Sequence, residues 1–180
     1  MNKFRSIKHK HKILGLTLIV IAFLALPGIH HGIWRPDEPY VAGVSAEMAW
    51  SKDFVVPKLN GKPFLEKPPL YYASAAVTGL IFGTANDTAY RVASLLWGFG
   101  VLGLLFLIVR NETGEDAALV SILILAATHL FFINWRWIQI DIALCFTVTL
   151  AWYGYQQCMK HGGRKNAIIL GAAIGLSFMT

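Results

Sequence analysis

The sequence predicts an all-α polytopic membrane protein. Of its 180 residues, 56% are hydrophobic and only 14% are charged. Mean hydropathy is +0.53, well off the averages of soluble domains. The basic residues fall in short polar segments between apolar runs, with no stripe interleaved with aromatics. That distribution excludes nucleic acid as the partner despite a net charge of +6, and it is how a membrane protein marks its cytoplasmic side. Cys145 and Cys158 sit within and at the end of one apolar run, which argues against a disulfide framework and for free thiols.

Residues 1–12 carry Lys3, Arg5, Lys8, Lys10 and Lys12 ahead of an apolar run. A basic head of this kind belongs in the cytoplasm, so residues 13–33 are expected to cross outward as the first span, with Trp34 at the outer interface. A cleaved signal peptide has the same head and a similar apolar region. The uncleaved reading is favoured because no small-x-small site follows and further membrane segments do. Residues 34–88 form an outside loop, polar from Arg35 to Lys67 and punctuated there by Pro36, Pro39, Pro57 and Pro63. Within it, Tyr40 to Trp50 has mixed polarity and reads as a short helix near the surface.

Leu70 to Phe82 is apolar but bounded by Pro69 and Gly83, far short of the roughly 20 residues a span requires. It is expected to lie along the membrane as a juxtamembrane helix. Pro68 and Pro69 set its start, since proline is tolerated in a first helical turn and disfavours helix in the residue before it. Spans at 89–109, 116–134 and 138–157 then cross inward, outward and inward, placing Lys160, His161, Arg164 and Lys165 of the 158–166 loop in the cytoplasm. Were Leu70 to Phe82 a span, that basic loop would fall outside. Residues 167–180 open a further apolar run too short to cross, so the sequence is expected to be the N-terminal piece of a longer chain.

On this topology Asp37 and Glu38, Glu66 and Lys67, Arg91, and Arg136 with Asp141 all gather at the outer membrane face. Charges near hydrocarbon are costly and usually serve a site or a partner. Each has a simpler reading: a solvated turn, a surface ion pair of little worth, or arginines snorkelling to lipid phosphates. Tyr71, Tyr72, Trp135 and Trp137 read as an interfacial aromatic belt, and His30 and His31 as polar residues ending the first span. Asp141, inside WIQIDIALCF, has few such explanations. No glycine-rich phosphate loop, nucleophile elbow or metal cluster of standard spacing is present in the sequence.

As one site, the charges divide by chemistry. Lys67, Arg91 and Arg136 suit a phosphate, while carboxylates such as Asp37 suit activation of an acceptor hydroxyl or stabilisation of positive charge developing on a sugar. Both requirements meet in a sugar attached to a lipid phosphate. A transporter subunit or lipid-binding scaffold is the competing class. A transporter calls for charges in mid-span and paired broken helices, whereas these charges sit at span ends on one side.

WRPDEPY, VSAEMAWSKDFVVPKLNGKPFLEKPPLYY, FGTANDTAYRVASLLWGFGVLGLLFLIV and FINWRWIQIDIALCFTVTLA together resemble the N-terminal part of the GT-C membrane glycosyltransferases of the aminoarabinose transferase and protein O-mannosyltransferase type. The resemblance runs from residue 34 to the last residue. It implies GT-C-like transmembrane helices with juxtamembrane helices in the first outer loop, in the bacterial inner membrane. The implied reaction is inverting transfer of a sugar from a polyprenyl phosphate donor, in bacteria usually undecaprenyl phosphate, to a lipid or protein acceptor at the periplasmic face. By position, Asp37 looks like the family's catalytic acid residue and Glu38 its partner. Glu66 matches a carboxylate that holds a divalent metal in some members, and Lys67 the lysine that contacts the donor phosphate. Arg91 and Asp141 match charged positions lining the same cavity. Many aminoarabinose-type members read Asp-Glu-x-Arg-Tyr, whereas here Asp37 and Glu38 are followed by Pro39 and Tyr40, without the arginine.

Overall fold

A computed structural model describes residues 2–27, 29–33 and 37–180, with side chains from Ile13 onward; Trp34 lies outside these. The described residues form helices joined by short connections and one two-stranded hairpin. Helix α1 (Asn2–Ala25) stops earlier than the expected first span, because Pro27 disfavours helical geometry in the residue before it. Helix α2 (Glu38–Ser51) accepts Pro39 in its first turn and ends where Lys52 turns left-handed at φ 57°.

The outside loop contains a hairpin that the sequence reading missed. Strands β1 (Lys58–Leu59) and β2 (Lys62–Pro63) pair antiparallel around Asn60 and Gly61, with φ values of 54° and 75°. Asn-Gly is the strongest short signal for such a turn, but Pro57 and Pro63 beside it demote the flanking runs as strands. The hairpin is fixed to α2. Glu47 Oε1 accepts the Gly61 N–H at 2.9 Å, and Leu59 lies so close to Gly43 that a Cβ there would meet it at 3.0 Å.

Helix α3 (Leu70–Phe82) has the bounds its proline start and glycine stop suggest. Tyr71 and Tyr72, expected in an aromatic belt, are buried instead, because α3 packs between α2 and α4 and this pair faces inward. Helix α4 (Asp87–Thr113) starts before the expected span, since the Asn86 side chain caps it by accepting the Thr88 N–H.

The expected third span is broken in two. Helix α5 (Glu115–Ala127) and helix α6 (His129–Arg136) meet at a 73° bend. At the break Thr128 has extended backbone and its hydroxyl donates to the Ile124 carbonyl four residues back, a bond that bends helices. Trp135 holds α6 in its new direction. Its Nε1 donates to the Leu95 carbonyl at 3.1 Å, and its ring occupies the space that a side chain at Gly98 would need. Trp135 is fully buried, so it too leaves the expected belt.

Helix α7 (Asp141–His161) and helix α8 (Arg164–Phe178) follow. Gly162 and Gly163, with φ of 60° and 85°, turn the chain between them, and the backbones close in at Gly154, where a Cβ would come within 3.0 Å of Leu170. Helices α4 and α7 run in the same direction. The Trp97 and Phe146 rings meet tilted, centroids 5.1 Å apart, and further along both helices Glu112 pairs with Lys160. By length and mean hydropathy α4 suffices to cross a membrane, and α5 with α6 qualifies as a bent pair.

Candidate functional site

A cavity of about 530 Å³ opens where α2, the segment after the hairpin, α3 and the start of α7 meet, lined among others by Asp37, Glu66, Lys67 and Asp141. That size falls in the usual range for small-molecule sites, about 300–1,000 Å³. All four charged side chains are exposed, so each keeps water until a ligand displaces it. Asp37 is the N-cap of α2. Glu66 and Lys67 precede the two prolines that start α3, and Asp141 stands in the first turn of α7, where the helix dipole favours a negative charge. That placement supplies the structural explanation that Asp141 lacked in the sequence.

The walls between the charges are formed by Tyr40, Val41, Phe64, Tyr72, Gln139 and Ile140. Phe64 meets the edge of Tyr72 at 6.4 Å, and its N–H donates to the Pro57 carbonyl, tying this wall to the base of the hairpin. Burial, with the Glu66 charge adding, pushes the Tyr72 phenol up to about 12, so it stays a neutral donor.

Glu38 and Arg91, expected among the groups touching substrate, lie behind the cavity wall. Both side chains are fully buried and neither lines the cavity. Arg91 Nε and Nη2 face the Glu38 carboxylate at 3.4 Å. Arg91 Nη1 donates to the carbonyls of His31 (2.6 Å) and Ile29 (3.2 Å), and Nη2 to that of Gly32 (3.4 Å). Glu38 Oε1 also accepts the backbone N–H of Ile138 at 3.0 Å. The pair therefore joins the segment after α1, the start of α2, α4, and the connector that leads to Asp141. A buried ion pair is tolerable when further hydrogen bonds satisfy its remaining atoms, as the carbonyls and the Ile138 N–H do here.

One turn along α4, Ser94 makes a second link to the same connector. Its hydroxyl bonds to that of buried Tyr71, and the backbone N–H of Gln139 approaches the same phenol oxygen. Burial pushes the Tyr71 phenol well above its ordinary value, with both partners opposing. Successive peptide groups of the connector thus face residues anchored on α4, and Gln139 and Asp141 are held against the cavity.

Arg136, expected as a phosphate ligand, is also absent from the cavity lining. It ends α6, and its guanidinium lies over the Phe132 ring at 4.5 Å, while its Nε is buried with no hydrogen-bond partner. The 73° bend gives the physical reason, because it redirects α6, whose last residue is Arg136. His31, read as a polar end to the first span, instead belongs to the Arg91 network, and its ring packs 5.5 Å from Trp137. Sequence reasoning missed Gln139 and the cavity role of Tyr72. A polar residue two positions before Asp141 in WIQID was the available signal for the former. Among the described residues no three His, Cys, Asp or Glu side chains converge closely enough to hold a metal ion.

Residues 66–180 match the family model described as dolichyl-phosphate-mannose-protein mannosyltransferase. An uncharacterized protein of Aquifex aeolicus is 32% identical over 145 residues, covering 78% of this chain and 29% of that protein. An undecaprenyl phosphate-alpha-4-amino-4-deoxy-L-arabinose arabinosyl transferase of Edwardsiella ictaluri is 29% identical over 93% of this chain and 31% of its own length. The fold matches that of ArnT from Cupriavidus metallidurans in the apo state at a TM-score of 0.81, with 20% identity, over 98% of this chain and 33% of that one. ArnT from the same organism bound to undecaprenyl phosphate matches at 0.81 with 23% identity, over 93% of this chain and 31% of that one. The chain therefore spans about a third of the length of these relatives.

Proposed function

The chain belongs to the dolichyl-phosphate-mannose-protein mannosyltransferase family, and from that premise we propose that it forms the donor-phosphate half of a glycosyltransferase site. The enzyme transfers a sugar from a polyprenyl phosphate, of the undecaprenyl class, to an acceptor at the periplasmic face, either lipid A or a protein or glycan hydroxyl. The relatives named as undecaprenyl phosphate aminoarabinose transferases and the ArnT structure bound to undecaprenyl phosphate support the donor class. The observation that carries the reading is the convergence of Asp37, Glu66, Lys67 and Asp141 on one cavity.

In this mechanism an acceptor oxygen attacks the anomeric carbon. The bond from that carbon to the phosphate oxygen breaks, and its electron pair leaves on the polyprenyl phosphate, giving inversion. The leaving group is a stabilised anion, so catalysis rests on positioning and charge compensation. Lys67 holds the departing phosphate. Asp37 orients the acceptor and takes its proton where the acceptor is a hydroxyl. Asp141, fixed at the α7 N-terminus, faces the positive charge that develops on the sugar. Glu38 and Arg91 act by positioning Asp37 and Asp141. A divalent ion at Glu66 would take most of its ligands from phosphate and water, as magnesium commonly does, and would add charge compensation.

The protein is proposed to sit in the bacterial inner membrane as a multi-pass protein, with the basic N-terminus and the Lys160 to Lys165 loop in the cytoplasm and the cavity periplasmic. The parallel course of α4 and α7 fits this orientation, since both then cross inward. The test is transfer from a labelled undecaprenyl-phosphate sugar by the full-length protein carrying Asp37→Asn or Lys67→Ala. A charge-assisted hydrogen bond is worth about 1.5–3 kcal/mol, so Lys67→Ala should weaken donor use by roughly ten- to a hundredfold. Near-normal turnover in both variants would overturn the assignment.

A further inference from the structure

Gln139 is a neutral group among charged ones. It lines the cavity with Asp37, Glu66, Lys67 and Asp141 and is partly exposed, while its neighbour Ile138 is fully buried. Its backbone already meets the connector's structural demands: the preceding N–H goes to Glu38, and its own approaches Tyr71. The side chain remains, on a residue that lines the cavity and is carried on a segment fixed on both sides.

We propose that Gln139 is a specificity-determining residue that reads a ring hydroxyl of the donor sugar; the proposal rests on the glycosyltransferase reading above. A carboxamide presents a donor and an acceptor together, matching a sugar hydroxyl, which is both. Being neutral, it does not compete with the phosphate for Lys67. The carboxylates and the lysine serve the reacting centre and its leaving group, and Gln139 adds a polar contact suited to hydroxyls away from the anomeric carbon. A neutral hydrogen bond contributes about 0.5–1.5 kcal/mol, so its expected effect is modest and confined to one ring position.

The test uses the full-length protein and a set of undecaprenyl-phosphate sugars, each lacking one ring hydroxyl, with kcat/KM measured for wild type, Gln139→Ala and the isosteric Gln139→Glu. Wild type should disfavour one deoxy donor by roughly three- to tenfold, and Gln139→Ala should erase that preference while leaving the others intact. Gln139→Glu, which keeps an acceptor but loses the N–H donors, should change the preference at the same position only. Affinity for undecaprenyl phosphate without a sugar should be equal in wild type and Gln139→Ala, which a merely structural role for Gln139 would not give; Gln139→Glu, whose added charge opposes the phosphate, is compared on donor preference alone. Unchanged discrimination at every position in Gln139→Ala, or a parallel loss of bare undecaprenyl phosphate binding in that variant, overturns the proposal. If discrimination instead follows the acceptor when acceptors are varied, the donor assignment is wrong. Wild type that neither binds nor uses any lipid-linked sugar would sink the glycosyltransferase reading itself, a different failure from an insensitive Gln139.

Discussion

Arg91 and Glu38 face each other at 3.4 Å with both side chains fully buried, and they join the cap of α2 to the connector before α7. Removing one partner strands a charge in a dry environment, which typically costs about 3–5 kcal/mol. Arg91→Ala should therefore lower the melting temperature of the full-length protein in detergent and reduce transfer together. Glu38→Gln, which still accepts the Ile138 N–H, should be milder. Replacing both residues with apolar groups should recover stability more than activity, because packing is restored but Asp37 and Asp141 lose their common tether.

Gly98 has no room for a side chain. A Cβ there would overlap the Trp135 ring. Gly98→Ala should displace α6, at the roughly 1–3 kcal/mol typical of overpacking, and should shift the tryptophan emission as the indole leaves its buried site. Gly103, which has nothing nearby, is the matched control, and alanine there should leave both readouts unchanged.

Gly61 combines a φ of 75° with an N–H held by Glu47. A β-branched residue in left-handed geometry is strained by about 1–2 kcal/mol, so Gly61→Val should loosen the hairpin and, through Phe64, the Glu66 and Lys67 corner. Calorimetric titration with undecaprenyl phosphate should show a severalfold weaker Kd in this variant with little change in overall melting.

Tyr72 gives a dependence on alkaline pH. Its phenol titrates at about 12 in the folded protein, against about 10 when unfolded. Between these values the unfolded chain has lost a proton that the native one retains. The contribution is complete below about pH 10 and disappears as pH rises through about 12. Denaturant melts between pH 9 and 12 should show that Tyr72→Phe removes part of the alkaline loss of stability. Identical slopes for the two proteins would contradict it.

Where local chemistry decides structure, the sequence was legible. The prolines before Leu70 and the glycine after Phe82 bound α3 unaided, and of the charges grouped by the sequence Asp37, Glu66, Lys67 and Asp141 do line one cavity. Roles that depend on tertiary packing were not. Nothing local distinguishes an arginine that touches a phosphate from Arg91, whose partners are 53 to 62 positions away in sequence. The aromatic residues showed the same limit: Tyr71, Tyr72 and Trp135 have the composition of a membrane belt and the burial of a core. The bend at Thr128 escaped notice because the apolar run resumes after Thr128 and His129, and the whole stretch is apolar enough for one span.

The two walls of the cavity differ in stiffness. The connector ahead of Asp141 is tied to Glu38 and approached by Tyr71, both backed by α4, so neither α2 nor α3 can rotate away without breaking a buried polar contact. The opposite jaw, carrying Glu66 and Lys67, hangs from a short hairpin whose link to α2 includes one exposed hydrogen bond from Gly61. A head group in this cavity therefore meets one wall held by buried polar contacts and another held, on its hairpin side, by a contact that water can reach.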